Sequence, residues 1–310
     1  MKRYTLYTFP ALALLLAAAA CTQDDAGTLP DGTQPLTLTA AIEGSADTRA
    51  TVDNRWNGNE TIALQVTDGD GTEWYDYTVD DKGNLSGEYY WTKPSPITVQ
   101  GICPATAVES TTWSVKSDQS SDADYQSGDL LASELTNVNY GSTAHLTFRH
   151  QTAKVVVNVS REGLPDAIGA TASDISLGIG EDENILMDGT FTLPTVGTGY
   201  GTWTPGTTEG SITPHLSGTA ASGCVATYEA LVIPQTIRSG AWLLTFNATK
   251  DDASYGPFYY MLQNDTEWKA GYKYTYNVTI TLYGLQVSVD TGSMTWEEGT
   301  GGEGSVDLPI

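Results

Sequence analysis

The chain has 310 residues, with 38 acidic against 14 basic side chains and a formal net charge of −24. A field of that sign and size excludes duplex and single-stranded nucleic acid as partners. The three cysteines and three histidines show no metal-ligand spacing, and no cofactor is implied.

Residues 1–20 read as a lipoprotein signal peptide. Lys2 and Arg3 form a basic start, and Pro10 to Ala20 is an apolar run too short for a spanning helix. Leu16-Ala17-Ala18-Ala19-Ala20 leads into Cys21, an arrangement similar to a bacterial lipobox. Cys21 is then the acylated, mature N-terminus, anchored in the outer membrane. Thr22-Gln23-Asp24-Asp25 resembles the acidic export tags of surface lipoproteins. Residues 21–35, with Gly27, Pro30, Gly32 and Pro35, form a tether.

A strand follows, with Leu36, Leu38, Ala40 and Ile42 on one face and Thr37, Thr39 and Ala41 on the other. Glu43 to Thr48 then carries no apolar bulk and reaches Arg49-Ala50, a trypsin-like site in a small polar linker. Two functions suit this pattern: an ordinary first strand and loop, or a strand built to be severed.

Alternation resumes at Thr61–Val66, turns at Asp68-Gly69-Asp70-Gly71, and returns as Glu73–Val79 and Gly87–Thr92. These segments read as a hairpin series with aromatic cross-strand pairs. Ile97–Ile102 is a further strand, residues 116–129 form an acidic surface loop, and His145–Phe148 and Ala153–Val159 flank His150-Gln151. Arg161–Ala172, with Gly163, Pro165 and Gly169, reads as a boundary. Beyond it, strands are expected near Ile175–Ile179, Gly189–Leu193, Tyr228–Ile233, Trp242–Ala248, Pro257–Leu262, Tyr272–Tyr283 and Leu285–Val289. The fold is all-β, read as two sandwich domains over residues 36–160 and 161–310.

At the end, a glycine-rich spacer after Trp296 leads to Ser305–Ile310, where Val306, Leu308 and Ile310 alternate as Leu36, Leu38 and Ala40 do. This tail is either a frayed end or a candidate donor strand for a neighbouring sheet. A longer donor including Leu285, Val287 and Val289 fits the same pattern.

Other chemistry is sparse. The Asp68 turn lacks the sixth-position glycine and twelfth-position glutamate of a calcium loop and reads as a tight turn. Asp118, Asp122, Asp124 and Asp129 suit either a solvated loop or a cation site. Gly197–Gly201 has no helix after it and reads as a loop. Trp74, Tyr75, Tyr77, Tyr89, Tyr90 and Trp91 suit cross-strand packing or, if exposed, stacking on sugars. Nothing marks a catalytic residue, and Cys103 and Cys224 are either paired or free thiols.

Several segments together resemble the fimbrillin family, the subunits of type V pili on Gram-negative gut and oral bacteria. They are the lipobox cysteine with Thr48-Arg49-Ala50, and Trp56-Asn57-Gly58-Asn59-Glu60-Thr61-Ile62, where Asn59 stands in place of the usual aspartate. Asp129-Leu130-Leu131-Ala132 with Leu146–Val155 is similar to the family's Phe-x-His strand pair. Ala230–Gln235, Lys269–Tyr274 and Trp296 complete the set. The resemblance implies two transthyretin-like sandwiches, lipoprotein export and cleavage after Arg49 by an arginine-specific surface protease. It further implies head-to-tail polymerisation with other fimbrillin subunits by donor-strand exchange, in a cell-adhesion role without catalysis. The alternative is a monomeric glycan-binding surface lipoprotein.

Overall fold

The computed structural model describes residues 34–44, 51–162, 175–178, 185–250, 253–281, 284–290, 297–298 and 304–307. Within them the chain forms β1 (Thr37–Ile42), β2 (Thr61–Thr67), β3 (Thr72–Val79), β4 (Asn84–Gly87), β5 (Ile97–Cys103) and β6 (Thr112–Ser114). After a short helix, α1 (Asp122–Gln126), come β7 (Leu131–Ser133), β8 (Thr136–Val138), β9 (Thr143–His150), β10 (Ala153–Arg161), β11 (Ile175–Leu177), β12 (Ile185–Leu186), β13 (Asp188–Thr192) and β14 (Thr202–Pro205). The rest are β15 (Glu209–Gly210), β16 (His215–Leu216), β17 (Ala226–Val232), β18 (Gln235–Ile237), β19 (Trp242–Lys250), β20 (Ala253–Leu262), β21 (Thr266–Trp268), β22 (Tyr272–Thr281), β23 (Gly284–Asp290), β24 (Glu297–Glu298) and β25 (Gly304–Asp307). The protein is all-β, built from sandwich-type sheets.

The first sheet runs β2-β3-β4-β1-β9-β7-β5-β8, and β5 also pairs back to β2. Its core includes Leu38, Ile62, Leu64, Tyr77, Trp91 and Phe148. A second core lies between the sheets β16-β17-β10-β22-β23 and β11-β19-β20-β25, with Val155, Val157, Tyr228, Phe246, Tyr260 and Tyr276 inside it. β10 runs parallel to β22 and antiparallel to β17. All of Val155, Val156 and Val157 are buried, as an unbroken valine run requires of a strand covered on both faces. β10 therefore contributes to the second core, whereas a unit ending at residue 160 assigns it to the first. The crossing point is the buried turn Gln151-Thr152. β6 also reaches across, pairing with β13.

Two further expectations change. The strand after β3 is Asn84–Gly87 rather than Gly87–Thr92. Leu36 N donates to Tyr89 O at 3.0 Å and Trp91 N to Gln34 O at 2.9 Å, so residues 89–91 lie beside the start of β1 and leave the β3 ladder. The acidic loop holds α1, whose buried Tyr125 anchors it. Ser121 caps that helix by accepting from Asp124 N. Asp68 forms the expected turn: its Oδ1 accepts from Asp70 N at 2.8 Å and from Gly71 N at 3.2 Å.

Candidate functional site

β1 sits inside its sheet, antiparallel to β4 and parallel to β9, with Leu38 opposite Leu85 and Ala144, and Ile42 opposite Phe148. Leu36, Leu38, Ala40 and Ile42 are all buried in the first core, as the alternation demands. Their three large side chains contribute about 1.5–3 kcal/mol each, roughly 5–9 together, which is comparable with a typical domain's whole stability of about 5–15 kcal/mol.

Polar contacts fix the strand along its length. Ala40 N donates to Gly83 O at 2.7 Å, and the Trp56 indole N–H donates to Ala40 O at 3.1 Å. Gly83 has φ +82°, and a Cβ there would lie 2.1 Å from Ala40 O, so glycine is required by both backbone conformation and space. Thr39 Oγ1 bonds His145 Nδ1. Trp56 packs edge-on to Phe148 with ring centroids 5.3 Å apart. Glu60 orders the loop behind Trp56, its carboxylate accepting from the backbone N–H groups of Asn57, Gly58 and Asn59 at 2.7–3.2 Å.

Past β1, Glu43 N donates to Phe148 O at 2.8 Å. The Glu43 carboxylate also takes two bonds from Arg149, at 2.5 and 3.2 Å, while Arg149 Nη1 reaches Glu134 at 3.0 Å. The hydrogen bond that Arg149 donates to Glu43 raises the Arg149 pKa above its ordinary value. Gly44, at φ +131°, lies against Asn54, where a Cβ would come within 2.6–2.9 Å of the side chain. Asn54 in turn has φ 62°. Its Oδ1 meets His150 Nε2 at 2.8 Å, and His150 Nδ1 meets Asp129 Oδ1 at 2.7 Å. His150 and Asp129 are both buried.

Both flanks of the expected cleavage segment are thus held by polar contacts, and they meet where Gly44 lies against Asn54. Glu43 is tied to Phe148 and Arg149, and Asn54 to the His150–Asp129 pair. Arg49 and Ala50 themselves lie outside the described residues, as do Cys21, Leu308 and Ile310. Val306 is in β25, which pairs antiparallel with β20 and sets Val306 opposite Tyr260.

Nothing in the sequence pattern marks Asn54, Gly83 and Glu43 as supports of β1. Asp129 reads from the sequence as part of an acidic loop, Phe148 as part of a strand and His150 as lying between two strands, none of them as a support of β1. One available signal was that arginine and histidine directly follow the buried Phe148. Among the described residues no three His, Cys, Asp or Glu side chains gather into a metal group. Cys103 and Cys224 are free thiols, and burial pushes the Cys103 pKa up.

The sequence matches a family model described as fimbrillin-like over residues 48–295. No curated protein matches it. Among solved structures, a candidate cell adhesion protein from Bacteroides uniformis is 20% identical with a TM-score of 0.57, the match covering 83% of this chain and 98% of that one. One from Bacteroides ovatus is 14% identical with a TM-score of 0.61, covering 87% and 99%. Another, from Bacteroides fragilis, is 14% identical with a TM-score of 0.50, covering 83% and 97%. At these identities the likeness concerns the fold.

Proposed function

The chain belongs to the fimbrillin-like family, and from that premise we propose that it is a structural subunit of type V fimbriae whose first strand is removable. Membership supports a fimbrial or adhesive role at the cell surface. The observation that carries the finer reading is the position of β1, which is buried between β4 and β9 with both flanks of the following linker anchored by polar contacts.

In this reading residues 1–20 are the signal peptide, and acylated Cys21 holds the precursor on the outer membrane through residues 21–35. An arginine-specific surface protease cuts between Arg49 and Ala50. β1 is then held by noncovalent contacts alone, while Asn54 keeps the new chain start on His150. Loss of β1 opens an apolar gap and two strand edges, which another subunit's strand must fill. The incoming strand runs parallel to β9 and antiparallel to β4, and sets apolar side chains where Leu36, Leu38, Ala40 and Ile42 lie.

Val306, Leu308 and Ile310 carry that spacing. In the uncut chain Gly304–Asp307 pairs with β20, so donation requires the tail to leave that edge. Contacts of this head-to-tail kind stay open-ended and generate filaments. The role is architectural and includes no catalytic step. Electron microscopy of cells carrying the wild-type gene, no gene, or Arg49→Ala tests it. Surface filaments containing this protein are expected only with the wild type. Unchanged filaments in the Arg49→Ala strain refute processing at this site.

A further inference from the structure

A cavity of about 440 Å³ is walled by Tyr200, Trp203, Trp268 and Tyr272 and edged by Glu267 and Lys269. We propose that this pocket binds a neutral sugar residue of a glycan. Its size lies within the range of about 300–1,000 Å³ usual for small-molecule sites, which are aromatic-lined with a few polar groups.

The pocket is built in advance. Gly201 N donates to Gln151 Oε1 at 2.9 Å, and the Trp203 indole N–H donates to Gln151 O at 2.7 Å. Gly271 N, from the opposite wall, donates to Thr152 O at 2.9 Å. Both walls therefore hang from the buried Gln151-Thr152 turn. Tyr200 lies directly on Gly271, which has φ +74° and where a Cβ would fall 2.3–2.7 Å from the tyrosine's outer atoms. A site held this way loses little conformational freedom on binding.

Its chemistry selects the ligand class. Trp268 forms the buried floor, and Tyr200, Trp203 and Tyr272 are half-buried, leaving ring surface for the C–H face of a pyranose. On the rim, Glu267 and Lys269 pair at 3.2 Å and are each more than half exposed. One accepts and the other donates hydrogen bonds to hydroxyls, while their charges cancel, so neither an anion nor a cation is favoured. The chain's net charge of −24 further opposes polyanionic glycans. The aromatic row at residues 74–91 is a poorer platform, because Tyr77, Tyr89 and Trp91 are core residues.

This inference does not depend on strand removal and is tested on the uncut mature chain. The probe is an array of neutral and sialylated or sulfated oligosaccharides from mucin, yeast mannan and plant walls. Retention on at least one neutral glycan is expected, weakened roughly tenfold or more by Tyr200→Ala and by Glu267→Ala/Lys269→Ala, and unchanged by Trp74→Ala. The double variant alters only exposed side chains, so it carries the test if Tyr200→Ala lowers the urea midpoint. No retention by the wild type, retention on charged glycans alone, or indifference to the double variant overturns the proposal. Ladder formation by the Arg49-cut double variant shows separately whether assembly is intact.

Discussion

Gly83→Ala probes the seating of β1 without touching β1 itself. The added Cβ meets Ala40 O at 2.1 Å, and Gly83 already sits at φ +82°. The left-handed conformation costs about 1–2 kcal/mol with a side chain. The clash with backbone pushes Ala40 away and breaks its 2.7 Å bond to Gly83 O, adding about 0.5–1.5 kcal/mol. Strain from overpacking against Ala40 adds about 1–3 kcal/mol more. Gly197→Ala is the matched control: Gly197 has φ +77°, but a Cβ there would find nothing within 4 Å, so it incurs only the conformational cost. Urea unfolding followed by tryptophan fluorescence should place Gly83→Ala about 2–4 kcal/mol below Gly197→Ala, a midpoint difference near 1 M or more at usual slopes. After cleavage at Arg49, the fragment bearing β1 should also dissociate faster from the Gly83→Ala protein. Equal losses in the two variants refute the claim that Gly83 seats β1.

Limited trypsin treatment of the folded precursor should cut first after Arg49, giving a new N-terminus at Ala50 by mass, and Arg49→Ala should delay the first cut. Deleting residues 305–310 should abolish the ladders that Arg49-cut protein forms on unboiled gels, and undiminished ladders would exclude this tail as the donor. Lys154 Nζ lies 3.1 Å from Glu229. Burial pushes the Glu229 pKa up, but the Lys154 charge and the Tyr125 hydroxyl outweigh it, leaving the pKa below its ordinary 4.5. Its stabilising contribution is complete above about pH 4.5 and falls as the pH drops through the lowered folded-state value. Lys154→Met leaves Glu229 buried without its cation and should cost about 3–5 kcal/mol at neutral pH, a deficit that narrows as acidification from neutral through pH 4.5 protonates the unpaired carboxylate, as urea midpoints across pH would report.

Period-two alternation made β1 legible, because Leu36, Leu38, Ala40 and Ile42 share one buried face. Alternation does not name a strand's neighbours. Nothing local to β1 indicated that it runs parallel to β9, more than 100 residues away in sequence, or that β25 pairs with β20. Residues 87–92 misled for the same reason: Tyr89 and Trp91 alternate into the core while their backbone bonds go to Gln34 and Leu36. Helix α1 is only five residues long, too short for a helical period to show. Asn54, Asp129 and His150 meet across 96 and 21 positions, and isolated polar residues carry no spacing signal. The sugar pocket is drawn from turns and short strands around a buried crossing point, so its rings have no common sequence pattern.

The removable strand is tested most directly by the intact mass of this protein in filaments sheared from the cell surface. Removal of residues through Arg49 predicts a subunit that begins at Ala50 and carries no acyl group. A filament subunit that retains acylated Cys21 and the strand Leu36–Ile42 contradicts it.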